Sequence, residues 1–234
     1  VFQSLYQSHP WVLAVRPDGT AFGVLADTTC RAFIDLSNGI NIKAEGPLYP
    51  LIVIERDTPL QVVQALADLT GHIEMPPRWA IGYQQSRYSY TPDARVREIA
   101  AELRKRRLPC DAIWLGIDSM NGYRCFTFDP KAFPDPRQLN ADLHAQCFRS
   151  VWPIVPWIKA EQGYSVFDSG SAIGAWVQQK DGSVYRGEVW PGMCVFPDFT
   201  RKDTRTWWSG LFMDFVAAGV DGVCNDMNEP AVFN

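Results

Sequence analysis

The sequence predicts an α/β fold in which the first half of a (β/α)8 barrel is preceded by part of an antiparallel β-sandwich. Three observations predict it. Residues 1–56 alternate β-favouring runs with turn signals, whereas from Trp79 onward strand-like and helix-like segments alternate four times. The first of those strand-like segments is followed by Gln84, Gln85, Ser86, Arg87 and Tyr88, not by the G-x-G-x-x-G turn of a doubly wound dinucleotide-binding sheet, so the barrel is favoured.

The elements follow in order. Trp11-Val-Leu-Ala-Val15, Pro17-Asp-Gly19 and Ala21-Phe-Gly-Val-Leu25 read as strand, turn and strand, and the apolar runs Phe33–Leu36 and Leu51–Ile54 add further antiparallel strands. A helix starts at Thr58, a capping residue, with Pro59 at its first position, Val62, Val63, Leu66 and Leu69 on one apolar face and Gly71 as its stop. Pro76-Pro77 marks a boundary, which divides the chain into a sandwich portion (1–56), a linking helix and connector (57–77) and a half-barrel (78–234). In the half-barrel, Trp79–Tyr83 is expected as a buried strand and Asp93 to Arg107 as a helix, with Val96, Ile99, Ala100 and Leu103 at helical spacing. Ala112–Leu115 is the second strand, Pro136 to Phe148 the second helix and Val151–Val155 the third strand, although Pro153 is unusual inside a strand. After a long glycine- and aromatic-rich connection comes a helix from about Asp203 to Ala218, with Trp207, Trp208, Leu211, Phe212, Phe215 and Val216 on one face. Gly219–Cys224 is the fourth strand.

Composition excludes several function classes. With 22 basic against 26 acidic residues the formal charge is −4, and no nucleic-acid-binding surface is visible; the one basic run, Arg104 to Arg107, ends a helix, where cations complement the carbonyl end of the dipole. No apolar run reaches the roughly 18 residues of a membrane span. The six cysteines lack any C-x-x-C pair and read as buried free thiols, and the three histidines are isolated, without H-E-x-x-H or G-x-S-x-G. No metal site is expected. The absence of an N-x-[ST] sequon and of paired cysteines points toward the cytoplasm, and Val1 in place of a methionine hints at a fragment.

The polar residues at expected strand exits are Asp118, Lys159, Asp226 and Glu229, the position at which barrels place their chemistry. The densest group is Asn225-Asp226-Met227-Asn228-Glu229-Pro230. A carboxylate there can attack the anomeric carbon of a sugar and form a glycosyl ester that water later cleaves, while Asp and Asn also serve as turn caps. Nine tryptophans, with Trp157, Trp176 and Trp190 in loops, suit a site that receives the apolar faces of sugar rings. Trp207 and Trp208 read as packing.

Four segments carry a resemblance. Trp79-Ala-Ile-Gly-Tyr-Gln-Gln-Ser-Arg-Tyr-Ser-Tyr90, Asn121-Gly-Tyr-Arg-Cys-Phe-Thr-Phe-Asp129 with Phe133-Pro-Asp-Pro136, Trp190-Pro-Gly-Met-Cys-Val-Phe-Pro-Asp-Phe199 and Asp221-Gly-Val-Cys-Asn-Asp-Met-Asn-Glu-Pro230 resemble the α-glucosidases of glycoside hydrolase family 31. Upstream, Ala44-Glu-Gly-Pro-Leu48 and Leu69-Thr-Gly71 resemble that family's sandwich edge and its link into the barrel. The resemblance implies a retaining exo-α-glycosidase acting on oligosaccharides without a cofactor. Asp226 matches the nucleophile, Glu229 a supporting acidic residue, Trp190 an aromatic lining the pocket of the departing sugar and Ile158 a hydrophobic wall of it. Asp118 is assigned to substrate binding.

The sequence also departs from the family pattern. Where the family carries Asp-Ile-Asp, whose first Asp binds hydroxyls of the terminal sugar, this chain has Gly116-Ile117-Asp118, followed by Ser119 in place of a common tyrosine. Val155-Pro-Trp157-Ile-Lys159 replaces Asp-Pro-Gly-Ile-Lys, and Cys224 replaces a tryptophan. These changes imply either altered sugar preference, with Asp118 or water substituting, or a weakened enzyme. A retaining mechanism needs a second carboxyl as acid/base about 5–5.5 Å from the nucleophile. The resemblance places it well after Asp226, so the chain is expected to be a fragment that requires the C-terminal continuation of its barrel. The alternatives are an α-transglucosidase, with an acceptor site built around Trp157 and Trp176, and a non-catalytic carbohydrate-binding relative.

Overall fold

The computed structural model describes residues 9–233, so the first eight residues of the expected 1–56 portion lie outside the described residues. The chain divides into two units between Met75 and Pro76. In the first, β1 (Trp11–Val15) and β2 (Ala21–Ala26) form the expected hairpin, with Trp11 opposite Leu25. Its turn closes because Gly19 takes φ +88°, which costs glycine little, and because Asp18 accepts hydrogen bonds from the backbone N–H and hydroxyl of Thr20. A second hairpin pairs β3 (Ala32–Asp35) with β4 (Asn41–Ala44), and β5 (Leu51–Arg56) adds to the free side of β2. The two antiparallel sheets are part of a sandwich. β4 has no counterpart in the sequence reading, since Asn41-Ile-Lys-Ala44 holds one β-branched residue and becomes a strand only through its partner.

Helix α1 (Pro59–Thr70) opens on a capping box: Thr58 Oγ1 accepts from Gln61 N–H, and the Gln61 side chain accepts from Thr58 N–H. Its buried stripe is narrower than expected. Val62 is sealed against Ala21 and Ile54, with Ala65 and Leu66 beside it, while Val63 and Leu69 are 46% and 52% exposed. A small three-stranded sheet covers one stripe of the helix and no more.

In the second unit, Trp79–Tyr83 is not a strand. Arg78–Ile81 forms a 3-10 turn, with Ala80 N–H donating to Pro77 O, and Ile81 is 75% exposed. Strand β6 is Gln84–Gln85, paired in parallel with Ala112 and Ile113 of β7 (Ala112–Trp114); helix α2 (Asp93–Lys105) lies between them in sequence. Trp79 packs over Gly222, so its apolar character serves a turn. Helix α3 (Pro136–Ala145) is capped by Asp135 and stops short of Phe148, because Cys147 takes φ +59° and Phe148 turns inward beneath the Arg104 guanidinium, 3.6 Å away.

Strand β8 (Arg149–Ile154) contains Pro153 and remains a strand. Ser150 and Ile154 accept from Asp221 and Asp226 on one side, while Val151 accepts from Leu115 on the other. By that alternation the absent N–H of Pro153 faces β7 beyond its last pairing, Trp114 with Val151. The long connection then folds into β9 (Ile158–Lys159), α4 (Ser165–Ala172), β10 (Gly187–Val189) and β11 (Gly192–Val195), a small antiparallel sheet in the order β10-β11-β9. This corrects the reading of its tryptophans: Trp157 and Trp176 are 0% and 5% exposed core residues and offer no acceptor platform.

Helix α5 (Lys202–Ala217) and β12 (Gly222–Asn225) complete the unit. Trp207 and Trp208 pack as expected, and Phe215 is buried among Phe126 and Phe128, but Val216 faces solvent. The parallel sheet runs β12-β8-β7-β6, each strand beside its sequential neighbour, as in one part of a barrel that does not close among the described residues. Ile113, Leu115, Trp152 and Ile154 meet Val96, Ala100, Leu139 and Leu143 of the helices. Buried Asn140 is engaged at both ends of its amide, donating to Ala218 O and accepting from Trp152 Nε1. Of the cysteines, Cys110, Cys125 and Cys194 are buried as expected; Cys147 is exposed, and Cys30 and Cys224 lie between.

Candidate active site

The carboxyl rim of the parallel sheet is set by its register. Gly222, Cys224 and Trp114 share a face with Val151 and Pro153, the face turned away from the helices. Asp226 continues that parity: its N–H donates to Ile154 O at 2.9 Å, which extends the ladder one residue past β12. Gly116, extended at φ −96° and ψ 176° two residues after Trp114, continues it on β7. Asp226 and Gly116 therefore stand on the same inner face, two strands apart and two residues out of level, or about 12 Å.

Asp226 is exposed. One carboxylate oxygen accepts from Met227 N–H at 2.9 Å, and the other has no hydrogen-bond partner among the described residues. Met227, at φ +54°, turns the chain out of the strand direction, and Ala231 N–H donating to Met227 O closes the turn. Glu229 lies exposed within that turn, with no hydrogen bond among the described residues. Beneath Asp226, burial raises the pKa of the Cys224 thiol and the Asp226 carboxylate adds to the effect, keeping the thiol neutral.

Asp118 and Trp190 are joined through a residue the sequence reading did not single out. Tyr123 Oη donates to Asp118 Oδ1 at 3.2 Å, and its ring lies 6.1 Å from that of Trp190, which also meets the edge of Phe233 at 5.3 Å. Burial raises the Tyr123 phenol pKa, and Asp118 adds to the rise, so the hydroxyl stays a donor. Trp190 is 44% exposed, a half-open aromatic face. The neighbouring Arg124 holds both oxygens of Glu161 at 2.8 Å, and Lys159 reaches Glu161 at 2.6 Å. Those two cations, Lys159 first, hold the Glu161 carboxyl below the usual carboxylate range. Lys159 thus belongs to β9 and an ion-pair network. Ile158 is fully buried opposite Val195. Tyr123 stands inside the Asn121–Asp129 motif, and its only sequence signal was that position.

Gly116 marks a second unsingled residue. A Cβ at position 116 would fall 2.0 Å from Ser89 Oγ, so the serine hydroxymethyl occupies space that any other residue at 116 would claim. A concavity of roughly 810 Å³ opens at the opposite, amino end of the strands, lined by Arg78, Trp79, Gly82, Asp111 and Arg149. It contains neither Asp226 nor Asp118, and barrel chemistry belongs to the carboxyl rim. Among the described residues no group of His, Cys, Asp and Glu could hold a metal ion, and no helix is long and apolar enough to cross a membrane.

Residues 73–234 match the glycosyl hydrolases family 31 TIM-barrel domain. The chain is 42% identical over 233 residues to Alpha-glucosidase 2 of Bacillus thermoamyloliquefaciens, covering 98% of this chain and 30% of that enzyme. It is 34% identical to an alpha-glucosidase of Saccharolobus solfataricus, over 98% of this chain and 33% of the relative. The crystal structure of a family 31 alpha-glucosidase from Bacteroides thetaiotaomicron superimposes with a TM-score of 0.91 at 50% identity, covering 97% of this chain and 39% of that one. The chain thus spans about a third of the length of these relatives.

Proposed function

The chain belongs to glycosyl hydrolase family 31, and on that premise we propose that it carries the nucleophile, Asp226, of a retaining exo-α-glycosidase that removes terminal non-reducing α-linked glucose from oligosaccharides. The observation that carries the proposal is the placement of an exposed carboxylate, one oxygen unengaged, at the carboxyl end of the fourth parallel strand and on the inner face of the sheet.

In this reading the free oxygen of Asp226 attacks the anomeric carbon as the glycosidic bond breaks, and a second carboxyl group gives its proton to the departing oxygen. Water then attacks the glycosyl ester, loses a proton to that second group and releases glucose and the Asp226 carboxylate. The second group stands about 5–5.5 Å from the nucleophile in a retaining enzyme. We place it in the two thirds of the relatives' length that this chain does not span. Asp118, held by Tyr123, binds substrate hydroxyls, Trp190 offers its half-open face to a sugar ring, and Ile158 backs the pocket wall. Glu229, in the turn after Asp226, supports the nucleophile by hydrogen bonding. No metal, nicotinamide or phosphate takes part.

The test is covalent labelling. A 5-fluoro-α-glucosyl fluoride incubated with the full-length protein should attach one sugar to the peptide containing Asp226, and Asp226→Asn should lower kcat by about 10⁴-fold. Turnover with the label on a different carboxylate would refute the assignment.

A further inference from the structure

Among the described residues, three side-chain polar atoms are sealed from water without a hydrogen-bond partner: Ser89 Oγ, Trp157 Nε1 and Thr204 Oγ1. Ser89 lies against the inner face of the rim, beside Gly116. It follows β6 by four residues, and its hydroxyl rests at the place a Cβ on Gly116 would take, 2.0 Å from that position. The carbonyl of the neighbouring Gly116 is already engaged, since it receives both Ser119 Oγ at 2.7 Å and Ser119 N–H at 3.0 Å. A sealed hydroxyl with no partner is costly, and such costs persist where a ligand supplies the missing bond. Gly116 and Asp226 stand about 12 Å apart between Cα positions on one face, a span that accommodates a single monosaccharide ring between their side chains.

We propose that Ser89 is a specificity-determining residue of this site, its hydroxyl forming a hydrogen bond with the 3-, 4- or 6-hydroxyl of the terminal sugar whose anomeric carbon faces Asp226. The inference rests on the glycosidase reading and deepens it. A glycine at 116 is what makes room for the serine, so the group nearest position 116 in the wall opposite the nucleophile is a neutral hydroxyl, sealed in the structure. For binding, rotation about the Ser89 Cα–Cβ bond must bring this sealed hydroxyl to the sugar. The contact is a single neutral hydrogen bond, and its contribution to discrimination at the sugar position it reads is therefore modest.

The experiment is a cycle between side chain and substrate on the full-length protein, with an aryl α-D-glucopyranoside and its 3-, 4- and 6-deoxy analogues. Ser89→Ala should lower kcat/KM on the parent glucoside by about 3- to 10-fold, the worth of one neutral hydrogen bond. On one of the deoxy analogues wild type and variant should be equal, because the hydroxyl that Ser89 reads is already gone. No loss at all, or an equal loss on all four substrates, overturns the proposal, since a packing role is blind to sugar hydroxyls. Turnover without this coupling sinks the role of Ser89 alone, whereas a wild-type protein inert on every glucoside sinks the hydrolase reading and this inference with it.

Discussion

Asp118 receives, among the described residues, one side-chain hydrogen bond, from Tyr123, and the same ring leans on Trp190, so a single side chain steadies two of the residues expected to meet substrate. Tyr123→Phe keeps the ring and removes the bond. In the full-length protein we expect kcat/KM on an aryl α-glucoside to fall about 2- to 10-fold while the urea midpoint stays put. An unchanged kcat/KM would show that Asp118 needs no such support. At this scale the sequence was informative where chemistry is written in residue type, as in the acidic exit of the fourth strand. It was silent about Ser89 and Tyr123, whose importance is a matter of which atom they touch. Trp157 and Trp176 show the reverse error: an indole in a loop is as able to fill a core as to face a sugar, and burial alone separates the two.

Among the elements, β12 is tied to its neighbours by a residue just before it. Asp221 accepts from Arg149 Nη1 at 3.0 Å and Ser150 N–H at 2.9 Å, and its other contact is His144 Nε2 at 2.7 Å, so it joins the end of α3 and the start of β8 to the entry of β12. Its side chain is only 12% exposed. Asp221→Ala should destabilise the protein by about 2–4 kcal/mol, read from urea denaturation, because it strands a backbone N–H, the Arg149 guanidinium and the His144 ring together. A change below about 0.5 kcal/mol would mean that water replaces all three contacts. The helices were legible at this scale through caps and apolar spacing, as α1 and α3 show. β6 was not: the apolar run at Trp79–Tyr83 outweighs Gln84-Gln85 in any reading of periodicity, yet the ladder partner selects the glutamines.

For the whole molecule, the parallel sheet has β6 and β12 at its two edges, with no further strand paired to either among the described residues. Such edges bind other strands. We expect the 234-residue segment expressed by itself to hydrolyse no aryl α-glucoside and to self-associate on size-exclusion chromatography, while the full-length protein turns substrate over as a defined species. Robust hydrolysis by the isolated segment would overturn the placement of the acid/base outside it. The sequence by itself determined the class of fold, the order of the barrel strands and the identity of the carboxylate at the fourth strand exit, because hydrophobic period, turn chemistry and motif are local properties of the chain. Only the tertiary structure decided that Asp226 and Gly116 share one face, that Ser89 fills the space beside the glycine and that Tyr123 joins Asp118 to Trp190. Those facts depend on strand register and on contacts between residues far apart in sequence, which no local pattern encodes.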